Sequence, residues 1–143
     1  MINRQLILDR LALINSYIEG LEELSSMDKA SFLHDKKNVA ATESFLRRTL
    51  EAIFDIGRHI LAKTGGIDMS MEYKAIARGL GEKGIIKGDL RDKLIQMAGY
   101  RNRMVHMYHM ISEEELYDII TTELGDIKEF VSEIKKYIGS VHD

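Results

Sequence analysis

Not one proline interrupts the 143 residues of this chain, although average usage of about 5% would place roughly seven in a chain this long. Proline breaks helix interiors because it lacks an N–H and its ring clashes with the carbonyl one turn earlier. Its absence favours long, uninterrupted helices, and the apolar pattern agrees. Ile7, Leu11, Ile14, Ile18 and Leu21 recur at 4-3-4-3 spacing, which marks one face of a helix. That spacing predicts a helix over 3–25, with Leu6, Leu13, Tyr17 and Leu24 widening the face. A polar stretch follows, with a further helix start near Ser31 and Phe32. Leu46, Leu50, Ile53, Gly57 and Ile60 repeat the spacing over a helix at 37–63. Gly57 lowers helix propensity there, so a neighbouring helix is expected to approach it closely. Gly65-Gly66 ends the segment.

Three more helices complete the reading. A short one is expected at 70–80, with Tyr73, Ile76, Ala77 and Leu80 inward. The next is expected at 89–109, with Asp89 as N-cap. The last runs over 113–138, where Ser112 and Glu115 form a capping-box pattern. Its Ile120, Leu124, Ile127, Val131, Ile134 and Ile138 are spaced 4-3-4-3-4. No segment alternates as a strand does, and no repeat or low-complexity tract appears. The expectation is one all-α domain over 1–143, an antiparallel up-down bundle of four long helices plus a short one.

Bulk properties exclude several function classes. With no cysteine, neither disulfides nor thiolate metal sites are open to the chain, and a reducing cytoplasm fits. No apolar run approaches the roughly 20 residues that span a bilayer, and the first residues lack a signal-peptide layout. The net charge of −3 gives no global field for nucleic acid. Any RNA would have to meet a local basic site.

One helix breaks its own rule. The inward register at 89–109 is Leu90, Leu94, Met97, Arg101, Met104 and Tyr108, spaced 4-3-4-3-4. Arg101 stands where an apolar residue belongs, and desolvating a guanidinium is costly unless it is paired or meets a cleft. Asn102 and His106 are four apart and share a face. Arg101 and Tyr108 are seven apart and nearly eclipsed. One end of this helix therefore gathers Arg101, Asn102, His106, Tyr108 and His109. A helix–helix hydrogen-bond network, or plain solvent exposure, accounts for such a set as well as chemistry does. Breaks of local rules are, however, enriched at functional sites.

The chemistry this set suits is cleavage of an RNA backbone. Arginine offers a permanently charged fork for phosphate, and histidine moves protons near neutral pH. Asparagine can position a substrate oxygen or the histidine. The nucleophile is the substrate's own 2′-hydroxyl, so no protein nucleophile or metal is required. General acid–base help contributes about 10²–10⁴ in rate, and charge stabilisation a comparable amount.

The string Arg101-Asn102-Arg103-Met104-Val105-His106-Met107-Tyr108 resembles the signature of ribonucleases of the HEPN superfamily: an Arg, a polar residue, and a His after four intervening residues. The Tyr two positions past the His resembles HepT toxins. The stretch from Glu51 to Ile60 is similar to the family's second long helix, and Gly84-Ile85-Ile86 before the motif helix is also similar. The resemblance implies a HEPN-like homodimer whose two motif helices line a shared cleft. It implies that Arg101 and His106 are catalytic with Asn102 in support, that no cofactor is used, and that the activity is that of a metal-independent endoribonuclease toxin. It further implies a partner, an MntA-type minimal nucleotidyltransferase antitoxin, that silences the toxin by adenylylating Tyr108. A bulky anion there would fill the site and occupy the Arg101 fork. Arg103 within the string and His109 just past it are candidate RNA-binding residues. The alternative is a non-catalytic helical module that binds a nucleotidyltransferase or a nucleotide.

Other signals carry less. Gly79-x-Gly81-x-x-Gly84 matches the dinucleotide-binding string, but that motif needs a strand before it, so it reads as a helix end. His106 and His109, three apart, could contribute to a metal-dependent hydrolase, yet no third ligand lies nearby in sequence; no metal is expected. His59 reads as a packing or surface residue. Arg47, Arg48, Arg58, Arg91 and Arg103 could form a basic rim for RNA or merely solvate helix faces. Glu113-Glu114-Glu115 complements a helix dipole, and the methionines are mostly core filler.

Overall fold

The computed structural model describes residues 2–65, 72–106 and 111–141. Among them are seven helices and no strand: α1 (Arg4–Ser25), α2 (Lys29–His34), α3 (Lys36–Lys63), α4 (Tyr73–Glu82), α5 (Gly88–His106), α6 (Glu113–Thr122) and α7 (Leu124–Ser140). The apolar stripes read from the sequence are the faces that turn inward. Ile7, Leu11, Ile14, Ile18 and Leu21 of α1 pack with Leu46, Leu50, Ile53 and Ile60 of α3 and with Ile127, Ile134 and Ile138 of α7 in one buried cluster. None of the helices is long and apolar enough to cross a membrane.

Side-chain pairs give the helix directions. Gly20 lies against Phe45, and the Asn3 N–H donates to His59 Nε2 at 2.9 Å, so α1 and α3 run antiparallel. Glu22 meets Lys128 while the Arg4 guanidinium donates to the carbonyls of Ile138 and Val141, which sets α7 antiparallel to α1. Arg103 meets Glu115 and Tyr100 meets Glu123, which sets α6 antiparallel to α5. Short α4 runs in the same sense as α3: Tyr73 stacks on Phe54, and further along Gly79 lies against Leu61.

The helix ends follow from local chemistry. Asn3, Asp28, Asp35 and Ser112 each cap a helix, their side-chain oxygens accepting N–H groups of Leu6, Ser31, Lys37 and Glu115. The expected close approach to Gly57 is present. A Cβ there would stand 2.6 Å from Ile76 Cγ2 and 3.1 Å from Leu80 Cδ1, so only glycine lets α4 lie this near α3. The glycine string ending at Gly84 is a helix terminus. Gly84 sits at φ 71°, its N–H donates to the Gly81 carbonyl, and the Ile85 N–H reaches back to Leu80. This is the six-to-one and five-to-two closure of a glycine C-cap.

Three details differ from the sequence reading. The expected helix at 113–138 is two helices, broken at Glu123 (φ −118°, ψ 2°). The apolar register crosses that break undisturbed, which is why it is invisible in the spacing. Asp89 is not an N-cap; α5 begins at Gly88, and Asp89 lies in its first turn. Ser112 does cap α6, but the Glu115 carboxylate is taken by Arg103.

Candidate active site

The last turns of α5 carry Arg101, Asn102 and His106, three of the polar residues singled out in the sequence. Leu90, Leu94 and Met97 are buried. One step further along the same stripe, the Arg101 side chain retains only 18% of its exposure. Its guanidinium is placed by two other helices. From α4, the Tyr73 ring lies beneath it with the guanidinium carbon 4.4 Å from the ring centroid. From α3, Glu51 Oε2 stands 3.5 Å from an Arg101 terminal nitrogen.

The cradle is itself held in place. Tyr73 stacks on the fully buried Phe54, centroids 4.7 Å apart and planes within 13°. The other oxygen of Glu51 accepts from Arg47 at 3.2 Å, and Arg47 also donates to Glu43 at 3.1 Å. A cation over a ring face is drawn to the ring's quadrupole, and the paired carboxylate offsets part of the desolvation cost. One group stays unmatched: Arg101 Nε is buried with no hydrogen-bond partner. A buried guanidinium N–H left unpaired is uncommon.

The motif residues do not all converge within one chain. Asn102 is half-buried and His106 is exposed at the end of α5. Five helical positions rotate a side chain by about 140°, so Arg101 turns into the bundle while His106 turns out. Asn102 and His106, four positions apart, share a face. Arg103 faces α6, where its fork donates to both oxygens of Glu115 at 2.8 and 2.7 Å. Tyr108 and His109 lie outside the described residues. Among those described, no group of three or more His, Asp or Glu side chains is placed to hold a metal.

Sequence reasoning missed the parts of the cradle that come from elsewhere. Glu51 belongs to a charged ladder on α3, in which Glu43, Arg47, Glu51 and Asp55 recur every four residues, and that regularity was the available signal. Tyr73 looked like an inward core residue, and nothing in its neighbours forecast an arginine above it. The basic rim resolves unevenly. Arg47 is committed to Glu43 and Glu51, Arg91 to Asp92, and Arg103 to Glu115, whereas Arg58 is only 3.7 Å from Asp55.

Comparison with known proteins places this arrangement. A family model described as Ribonuclease HepT-like matches residues 14–134. The chain is similar to the tRNA nuclease HepT of Aphanizomenon flos-aquae (strain 2012/KM1/D3), at 27% identity over 134 residues, covering 94% of this chain and 90% of that protein. Among solved structures it is similar to the tri-AMPylated HEPN toxin of Shewanella oneidensis, determined in complex with an MNT antitoxin. That match has a TM-score of 0.81 and 26% identity, and covers 92% of this chain and 97% of that one. It also shares the fold of YutE, a cytosolic protein of unknown function from Bacillus subtilis, with a TM-score of 0.82 over 97% of this chain and 92% of that one; at 19% identity the likeness concerns fold alone.

Proposed function

We propose that this chain, which belongs to the HepT-like ribonuclease family, is a metal-independent endoribonuclease that acts as the toxin of a toxin–antitoxin pair. Its substrate on this reading is RNA, with tRNA the first class to test because the similar Aphanizomenon protein is a tRNA nuclease. The observation that carries the reading is the Arg101 guanidinium, standing in an apolar register and held over Tyr73 and beside Glu51 while still partly open to solvent. A substrate phosphate oxygen would meet the part of this side chain that stays open to solvent, and a charge-assisted pair of that kind is among the stronger hydrogen bonds.

The reaction follows from these residues. The ribose 2′-oxygen loses its proton and attacks the adjacent phosphorus. The P–O5′ bond breaks, leaving a 2′,3′-cyclic phosphate and a 5′-hydroxyl. Arg101 stabilises the charge that builds on the phosphoryl oxygens. His106 transfers protons, and Asn102 positions it or the substrate. The step needs both a base and an acid, whereas the motif of one chain offers a single described histidine. A homodimer that faces two α5 helices across a cleft brings a second His106 and joins it to the inward-turned Arg101. Arg103 and His109 would line the RNA path. Tyr108 would be the adenylylation site through which an MntA-like nucleotidyltransferase silences the toxin; the similar Shewanella toxin was solved AMPylated and bound to an MNT antitoxin. The pair would operate in the cytoplasm.

Purified protein is incubated with tRNA in EDTA and compared with Arg101→Ala and His106→Ala. Wild type should release cyclic-phosphate ends, and each variant should lose at least 10²-fold in rate, the scale of one acid–base or charge-stabilising group. Undiminished cleavage by both variants would sink the reading.

A further inference from the structure

A second cationic site lies beside the first. Arg10 of α1 and Arg58, His59 and Lys63 of α3 converge on a cavity of about 490 Å³, completed by Leu6, Ala62 and Asp55. Asp55 is the cavity's single acid. It stands 3.7 Å from Arg58, too long for a strong pair. Burial pushes the Asp55 carboxyl above its usual range despite the pull of Arg58 and Arg10. Arg58 Nε is buried without a partner. His59 accepts the Asn3 N–H on Nε2, which in the neutral ring leaves its proton on Nδ1 as a donor.

Arg58 links the cavity to the Arg101 cradle. Arg58 and Arg101 address the same Tyr73 ring, their guanidinium carbons 5.4 and 4.4 Å from its centroid. The two forks are therefore within about 10 Å of each other. Of the other arginines near the motif, Arg47 and Arg103 already hold carboxylates. Arg10 and Lys63 are held by no salt bridge among the described residues. Three basic side chains against one acid around a cavity favour an anion, and the spacing from Arg101 suits a neighbouring phosphate on one strand.

We propose that this cavity binds a second backbone phosphate of the RNA, one or two nucleotides from the phosphodiester that Arg101 engages. The inference rests on the ribonuclease reading above. It makes the α1–α3 face part of the RNA track and assigns Arg10, Arg58 and Lys63 to phosphate binding.

The test uses a single-stranded RNA with every 2′-hydroxyl methylated, which cannot be cleaved and so reports binding alone. Its affinity for wild type, for R10Q/K63Q and for K36Q/K37Q is measured against salt concentration. Arg58 is left intact because it touches Tyr73. K36Q/K37Q makes the same charge change at the far end of α3. Each phosphate contact on a single strand adds about 0.7 to the slope of log affinity against log salt. The R10Q/K63Q slope should therefore be smaller by about 0.7, the share of the one phosphate the cavity holds, with the K36Q/K37Q slope unchanged. Equal slopes for wild type and R10Q/K63Q would overturn the proposal, and so would equal losses in both double variants. Cleavage of unmodified RNA by wild type is scored separately. Failure to cleave removes the ribonuclease reading, whereas cleavage with an unchanged R10Q/K63Q slope removes only the second site.

Discussion

Replacing Tyr73 by Leu takes the ring from beneath Arg101 while keeping an apolar side chain on Phe54. A cation–π contact contributes about 0.5–1 kcal/mol at exposed sites and about 2 kcal/mol when desolvated. The Arg101 side chain is 18% exposed, between those limits, so a coupling of about 1 kcal/mol is expected. The lost Phe54 stacking adds a further 0.5–1.5 kcal/mol, roughly, to the single-variant loss. A double-mutant cycle removes that second contribution. Wild type, Tyr73→Leu, Arg101→Met and the double variant are unfolded in urea at one fixed protein concentration, since self-association would shift apparent stability. Non-additivity of about 1 kcal/mol is predicted, and Tyr73→Phe, which keeps the ring, should restore most of it. In cleavage assays the same loss of about 1 kcal/mol is worth about fivefold in rate. A coupling below about 0.3 kcal/mol, inside the scatter of independent sites, would refute the idea that the ring holds the arginine.

Two further expectations follow from the same packing. The His59 pKa is lowered from its ordinary 6.5 by burial first and by Lys63 second. Below about pH 6.5 the unfolded chain takes up a proton that the folded chain resists, so this contribution to stability is complete above that pH and is lost as pH falls. Thermal melts from pH 8 to 5 should show the decline in wild type and a flatter profile in His59→Gln; parallel profiles would contradict it. Gly57→Ala sets about 1 kcal/mol of gained helix propensity against overpacking of about 1–3 kcal/mol, because the new methyl falls 2.6 Å from the Ile76 Cγ2 on the stiff, branched side of that residue. A net destabilisation of about 1 kcal/mol is expected from urea midpoints, and a stabilised variant would mean that α4 shifts at little cost.

The sequence declared the helices wherever burial imposed a period, and failed where structure depended on a single side chain. The stripes of α1, α3 and α7 could be read because 4-3 spacing reports which face is dry. The break at Glu123 could not: Ile120, Leu124 and Ile127 keep the register across it. What stands at the break is a carboxylate turned toward the Tyr100 hydroxyl at 2.8 Å, a contact between residues 23 apart that no local pattern encodes. Helix α2 had only the Asp28 cap and the buried Phe32 to announce it. At the site, Arg101 betrayed itself by standing in an apolar register, but the glutamate and tyrosine that hold it come from α3 and α4. Local pattern identifies a misplaced charge; it cannot say which distant groups receive it.

Arg4 clasps the carbonyls of Ile138 and Val141, and the backbone of Asn3 is tied to His59. Both ends of the described chain therefore emerge at one pole of the bundle, next to the cavity that His59 lines. A tag fused at either end is therefore attached at the pole of the bundle that carries Arg10, Arg58 and Lys63. If the cavity takes a backbone phosphate, an acidic tag at that pole would compete with it. Untagged protein is thus the form in which binding by the α1–α3 face can be measured without interference.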